Sequence, residues 1–258
     1  MNLNLQNKNA LVCGSTQGIG LATAILLAEA GVNVTLIARN EEKLKKTVAL
    51  LPNSNQCHGY LIADFSKPEE LKVVLADSDL QFHILVNNTG GPAGGPIFEA
   101  KIEEFESAFT QHLKCNHLLV QHLVPFMKTQ CFGRIINVIS TSVKQPLADL
   151  GVSNTIRGAV ANWSKTLANE LGEFGITVNN VLPGSTETER LKEIIHNKAV
   201  KSGRTFDAVA TAMKNASPAK RFAKPEEVAA AITFLTGEPA SYINGINVPV
   251  DGGRTKSL

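Results

Sequence analysis

The chain has 258 residues, of which 43% are hydrophobic and 19% charged, and its formal net charge is +2. This length can bury one large α/β core, and so small a net charge argues against nucleic acid or a membrane surface as a partner. No apolar run reaches the roughly 20 residues that cross a bilayer, no signal-peptide pattern opens the chain, and the four cysteines form no Cys-x-x-Cys pair, so we expect a cytoplasmic protein with reduced thiols.

Short apolar runs alternate with longer amphipathic stretches along the chain, and this alternation predicts a parallel sheet covered by helices on both faces. The runs predicted as strands are 10–13, 32–38, 83–86, 134–139, 176–182 and 245–250. The helices are predicted near 19–30, 41–51, 68–76, 101–130, 151–174 and 225–236. Because no linker or repeat interrupts this pattern, we expect a single domain over residues 1–258.

The segment 186–216 breaks the alternation. It is polar, rich in lysine and alanine, and follows the end of a predicted strand. Ligands of open parallel sheets bind at the carboxyl ends of the strands, so we predict a helical insertion that acts as a lid. The segment contains four cationic side chains, those of Lys192, Lys198, Lys201 and Arg204. They could contact an acidic substrate or face water, and exposure to water is the favoured interpretation.

A glycine-rich loop joins the first predicted strand to the first predicted helix. Glycine permits a tight turn and a close approach of the backbone to a pyrophosphate, which then binds at the positive end of the helix. The alternative is an ordinary glycine-rich turn. The predicted dinucleotide-binding residues are Gly14, Ser15, Thr16, Gln17, Gly18, Ile19 and Gly20.

The second predicted strand ends at Ala38-Arg39-Asn40. An acidic residue here would bind the adenosine ribose hydroxyls of NAD, whereas a guanidinium pairs well with a phosphate. Arg39 therefore favours NADP(H), through its 2′-phosphate, over NAD(H). The alternative is a solvated arginine at the start of a helix.

The glycine loop and three later segments resemble the short-chain dehydrogenase/reductase family, and in overall pattern its 3-oxoacyl-acyl-carrier-protein reductases. The later segments are Asn87-Asn88-Thr89-Gly90, Pro183-Gly184-Ser185-Thr186-Glu187-Thr188 and Val250-Asp251-Gly252-Gly253. The resemblance implies a Rossmann-type, doubly wound parallel sheet of about seven strands. It also implies an NADP(H)-preferring oxidoreductase that acts on a small-molecule carbonyl or alcohol, assembled as a homodimer or homotetramer through the helices at 101–130 and 151–174.

The resemblance assigns further cofactor contacts by position. Asp64 corresponds to the residue that contacts the adenine amino group, and Asn88 and Gly90 lie in the segment that passes the adenosine ribose. The last threonine of the later loop bonds the nicotinamide carboxamide in the family. That loop supplies the expected contacts Pro183, Gly184, Thr186 and Thr188.

The family's catalytic Tyr-x-x-x-Lys is replaced by Ser153-Asn154-Thr155-Ile156-Arg157. By the same count, Ser140 takes the position of the family serine and His112 that of the family asparagine. An alkyl hydroxyl is a far weaker acid than a phenol, and arginine stays protonated. The resemblance therefore implies a cofactor site that is intact and an acid–base site that is rewritten.

We hypothesise that Ser140 and Ser153 bind the substrate oxygen, while Arg157 holds the ribose and stabilises an alkoxide. Lys144 or His112, which is expected to titrate near neutrality, would supply the proton. The alternatives stay open: Lys144 is a solvated loop residue and His112 a core residue. In that case the chain would bind NADP(H) as a non-catalytic sensor or scaffold. A third possibility keeps enzymatic chemistry but changes the reaction, for example to an elimination or isomerisation with Lys144 as the base.

Overall fold

The computed structural model describes residues 2–78 and 81–257. The described strands are β1 (Asn9–Cys13), β2 (Asn33–Ala38), β3 (Gly59–Ile62), β4 (Ile84–Asn87), β5 (Gly133–Val138), β6 (Ile176–Pro183) and β7 (Asn247–Val250). They form one parallel sheet in the order β3-β2-β1-β4-β5-β6-β7. From β1 the chain first adds strands on one side of the sheet and, from β4 onward, adds them on the other, which confirms the predicted Rossmann-type α/β fold of about seven strands.

Nine α-helices lie in the described part of the chain. They are α1 (Gly18–Glu29), α2 (Glu41–Leu50), α3 (Pro68–Ala76), α4 (Ile102–Phe109), α5 (Cys115–Thr129), α6 (Gly151–Leu171), α7 (Glu189–Ser202), α8 (Phe206–Asn215) and α9 (Pro225–Thr236). Helices α1, α2 and α9 pack on one face of the sheet, and α3, α5 and α6 pack on the other. None of the described helices has the length and apolar character to span a bilayer.

The predicted elements are recovered with two differences. β3 was absent from the apolar pattern, since this edge strand has only one neighbour and its residues are only partly buried. The predicted helix over 101–130 consists of α4 and α5, joined without a break by a π-helical turn over Thr110–Lys114. A π turn inserts an extra residue into the helix and often marks a functional position.

The insertion at 186–216 contains two helices with regular N-terminal caps. Thr188 accepts from Leu191 N at the start of α7, and Thr205 accepts from Ala208 N at the start of α8. Threonine caps of this kind satisfy backbone donors that the helix leaves without partners. The two helices pack around a small apolar cluster, so the insertion has a small hydrophobic core of its own.

A row of asparagines crosses the sheet below the carboxyl ends of its strands. Asn87, Asn137, Asn180 and Asn247 are register partners on β4 to β7. The side-chain Nδ2 of each of the first three donates to the Oδ1 of the next, at 2.8, 3.1 and 2.8 Å. Because buried amides are costly unless paired, this ladder fixes four strands in one register and gives the site above it a rigid base.

Candidate active site

The loop between β1 and α1 is built tightly against Asn88. Gly14 has a left-handed backbone with φ +56, and a Cβ there would lie 2.3 Å from Asn88 O. A Cβ on Gly20 would lie 2.3 Å from Gly14 O. Asn88 Nδ2 donates to Cys13 O and Gly14 O, both at 3.3 Å. Only glycine fits these two positions, and Asn88 joins the loop to the end of β4.

The start of α1 has the features of an anion-binding site. Gln17 precedes the helix without making a side-chain cap, and the first turn contains no acidic residue. The Ser15 hydroxyl is fully buried and has no hydrogen-bond partner among the described residues. The N–H groups and the dipole of this 12-residue helix therefore remain available to a phosphate. These residues fit the predicted pyrophosphate of a dinucleotide.

Arg39 and Asp64 lie near each other at the ends of β2 and β3. Arg39 is exposed, whereas Asp64 is partly buried and its Oδ1 accepts from Ser66 N at 2.9 Å and Ser66 Oγ at 2.8 Å. Burial alone would raise the pKa of Asp64, but these hydrogen bonds and the charge of Arg39 hold it below its ordinary value. A cation and a fixed carboxylate thus face solvent where the adenosine half of the ligand is expected.

The loop after β6 reaches the glycine loop. A Cβ on Gly18, which has φ +55, would lie 2.9 Å from Thr188 Cγ2. Thr186 is buried and pairs with Ala223, and a Cβ on Gly184 would lie 2.7 Å from Asp251 Cα. The predicted contacts at 183–188 therefore lie beside the predicted pyrophosphate loop, and the cap hydroxyl of Thr188 is at their junction.

Arg157 is buried between the ends of β4 and β5. Its Nη1 donates to Val138 O at 3.1 Å and its Nη2 to Thr89 O at 3.5 Å. It forms no ion pair with a carboxylate of the described residues. Burial lowers the pKa of Arg157 to about 10, so the guanidinium remains charged at neutral pH. A buried cation without a counter-ion is costly, and it is a strong electrostatic feature of the site.

His112 lies in the π-helical turn and is 1% exposed. Its Nδ1 is 2.6 Å from Thr89 Oγ1, and its Nε2 has no partner among the described residues. Burial and, secondarily, the charge of Arg157 lower the pKa of His112 to about 2. The expectation that His112 titrates near neutrality is therefore wrong, because burial disfavours the charged imidazolium.

The remaining predicted catalytic residues are partly buried around the end of β5. Ser140 ends this strand region, and its Oγ accepts from Ser142 N at 3.1 Å. Ser153 lies in the first turn of α6, four residues before Arg157 and so on the same face of that helix. Lys144 follows a 3₁₀ turn after Ser140. The structure thus groups serines and cations at one edge of the sheet.

Two contacts of this region carried no recognisable signal in the sequence. Arg190, on the first turn of α7, donates through Nη2 to Gly91 O at 3.3 Å and Pro92 O at 2.9 Å. The C-terminal tail lies against the loop after β5, since Ser257 Oγ donates to Lys144 O at 3.4 Å. Both contacts pair side chains with backbone oxygens across long sequence separations, which residue spacing cannot reveal.

The chain's two tyrosines lie outside this group. Tyr60 is on the edge strand β3, where its hydroxyl donates to Glu41 Oε1 at 3.2 Å. The Tyr242 side chain is fully exposed after α9. Neither phenol therefore lies with the predicted catalytic residues Ser153 and Arg157.

A family model described as enoyl-(acyl carrier protein) reductase matches residues 14–255. The D-beta-hydroxybutyrate dehydrogenase of Rhizobium meliloti is 33% identical over 258 residues, which cover 96% of this chain and 98% of the relative. The NADPH-dependent reductase BacG of Bacillus subtilis is 29% identical over 259 residues, covering 98% of this chain and 100% of the relative. The crystal structure of L-sorbose reductase from Gluconobacter frateurii, complexed with NADPH and L-sorbose, has a TM-score of 0.92 and 31% identity over 100% of both chains.

Proposed function

Because the chain belongs to the short-chain dehydrogenase/reductase family, we propose that it is an NADP(H)-dependent oxidoreductase acting on a small carbonyl or alcohol. In this proposal Ser153 and Arg157 replace the family's tyrosine and lysine. The observation that carries it is the glycine cradle, in which Gly14 and Gly20 leave room for backbone alone and α1 begins without a cap. A decayed nucleotide site would have no reason to keep these close contacts.

The choice of NADP(H) rests on Arg39 and on the relatives. Arg39 is the exposed cation at the end of β2, where an acidic residue would select NAD. The similar reductase from Bacillus subtilis is NADPH-dependent, and the similar L-sorbose reductase was solved with NADPH. The bound cofactor would supply or accept the hydride. Residues 14–20, Asn88 and the 183–188 loop would hold it.

The chain's own residues would then bind the substrate and manage its proton. Ser140 and Ser153 would hydrogen-bond the substrate oxygen, and the charge of Arg157 would stabilise negative charge on that oxygen. His112 is neutral at all working pH values because its pKa is about 2, so it would orient groups through hydrogen bonds. This leaves Lys144 as the favoured proton donor at the loop after β5.

The test combines direct cofactor binding with turnover. NADPH and NADH affinities are measured by fluorescence, and NADPH consumption is followed against a panel of ketones, aldehydes and oxo acids. We expect turnover by the wild type, a large loss in Lys144→Ala and Ser153→Ala, and no loss in the surface control Lys46→Ala on α2. NADPH binding with no turnover across the panel would contradict the proposal and favour a sensor or scaffold.

Arg39→Ala is expected to weaken NADPH binding by about 10- to 100-fold, the usual cost of losing a charge-assisted hydrogen bond. NADH lacks the 2′-phosphate, so its affinity should change little. Lys46→Ala removes an exposed cation from the neighbouring α2 and serves as the control. Equal weakening of NADPH and NADH in Arg39→Ala would show that Arg39 does not select the phosphate.

A further inference from the structure

Three residues that depart from the family pattern are in contact with one another. Thr89 replaces an alanine, His112 an asparagine and Arg157 a lysine. Thr89 Oγ1 meets His112 Nδ1 at 2.6 Å, while Thr89 O accepts from Arg157 Nη2 at 3.5 Å. Their joint replacement in one contiguous group indicates a shared role, since scattered decay would not select neighbours.

This group carries one uncompensated positive charge. A guanidinium has five N–H donors, and in Arg157 two hydrogen bonds are made to the backbone, to Val138 O and Thr89 O. The other donors have no partner within the described residues. His112 adds no charge, and its Nε2 is a second buried polar atom without a partner there. Fully buried polar groups normally find partners, so the group is suited to a ligand.

An exposed pair of glycines lies beside Arg157. The position that a Cβ of Gly91 would occupy is 3.9 Å from Arg157 Nη2, and both Gly90 and Gly91 are exposed. Arg190 joins this loop to α7 through Gly91 O and Pro92 O. The guanidinium therefore lies next to an exposed loop that has no side chains at these two positions.

The residues around Arg157 favour a negatively charged ligand. Arg157 forms no ion pair with a carboxylate of the described residues, and the predicted substrate-oxygen residues Ser140 and Ser153 are neutral. The neighbouring carboxylates on α7 are already paired, that of Glu193 with Arg190 at 3.4 Å and that of Glu189 with Lys192 at 2.7 Å. A planar guanidinium with free donors matches a carboxylate in shape as well as charge.

We propose that Arg157 binds a carboxylate carried by the substrate, so that the substrates are short oxo acids and the corresponding hydroxy acids. The proposal rests on the function proposed above and specifies its substrate class. Ser153, one helical turn before Arg157, places the reacting oxygen close to this carboxylate. Thr89 and His112 act as positioning residues that hold the guanidinium.

The test uses oxamate, a non-reducible analogue of a 2-oxo acid, and its neutral ethyl ester. Calorimetric titration of the NADP⁺-saturated protein should give oxamate binding at least about 10-fold tighter than that of the ester. Arg157→Lys keeps the charge but loses the planar fork, and should weaken oxamate by about 10-fold or more. Arg157→Met should abolish binding, while Lys46→Gln on the exposed surface of α2 should leave it unchanged. Thermal melts of each variant check folding.

Equal affinity for oxamate and its ester, no oxamate binding, or unchanged binding in Arg157→Lys would overturn the carboxylate assignment. So would oxamate binding that NADP⁺ abolishes, because the anion site would then belong to the cofactor. NADPH affinity is measured separately. Failure of the wild type to bind NADPH rejects the proposed function. If the wild type binds NADPH but binds oxamate and the neutral ester with equal affinity, only the proposed substrate class is rejected.

Discussion

Gly20→Ala is expected to weaken NADPH binding by about 100-fold and to lower the free energy of unfolding by about 1–3 kcal/mol, the usual cost of overpacking. The added Cβ would lie 2.3 Å from Gly14 O and 2.7 Å from Asn88 Nδ2. Neither neighbour can yield alone, because Asn88 Nδ2 also bonds Gly14 O. The loop must shift as a unit, and its N–H groups then leave the positions that suit a pyrophosphate.

The measurement is a fluorescence titration with NADPH beside a urea unfolding curve. Gly59→Ala is the matched control, since a Cβ on this β3 residue meets nothing within 4 Å. It should leave NADPH binding unchanged and alter stability by less than about 1 kcal/mol. Wild-type affinity in Gly20→Ala would show that the loop does not hold the cofactor, and would remove the main support for the proposed function.

The sheet can be predicted because each inner strand is an apolar run, which the neighbouring strands and the covering helices bury. The pattern over 10–13 and 134–139 recurs as β1 and β5 within one residue. The apolar pattern does not predict β3, because an edge strand is less buried and needs fewer apolar residues. The sequence predicts a helical insertion at 186–216 that acts as a lid. The segment contains α7 and α8, and its role as a lid stays a prediction. Its contact through Arg190 with the loop after β4 depends on tertiary placement that composition does not encode.

The glycine loop can be predicted from the sequence because its glycines occupy positions where a Cβ would clash with nearby backbone atoms. The acid–base residues were harder, since a side chain's chemistry depends on what buries it. His112 has an ordinary sequence context, yet the π turn places it in the core beside Arg157. The sequence therefore selects His112 as a candidate but predicts a protonation behaviour that its burial contradicts. Thr89, which touches both His112 and Arg157, drew attention only as a departure from a motif.

Buried His112 should make the protein sensitive to acid. Its pKa is about 2 in the folded state and ordinarily near 6.5, so the unfolded chain takes up a proton that the folded chain does not. The stability contribution is intact above pH 6.5 and is lost as pH falls below it, by about 1.4 kcal/mol per pH unit. At pH 4.5 this single residue would cost about 3 kcal/mol, a large part of a typical folding free energy.

His112→Asn isolates this effect, because asparagine does not titrate and is the residue that the family pattern places here. Unfolding free energies from urea curves between pH 7 and 4.5 should fall less steeply in His112→Asn than in the wild type, by about 1.4 kcal/mol per unit. His122→Asn removes an exposed histidine from α5 and should retain the wild-type slope. Loss of the Thr89 contact should change the free energy of unfolding by the same amount at every pH, so it does not affect the comparison of slopes. Parallel curves for wild type and His112→Asn would mean that the imidazole is protonated in the folded protein, and His112 would again become a proton donor for the substrate.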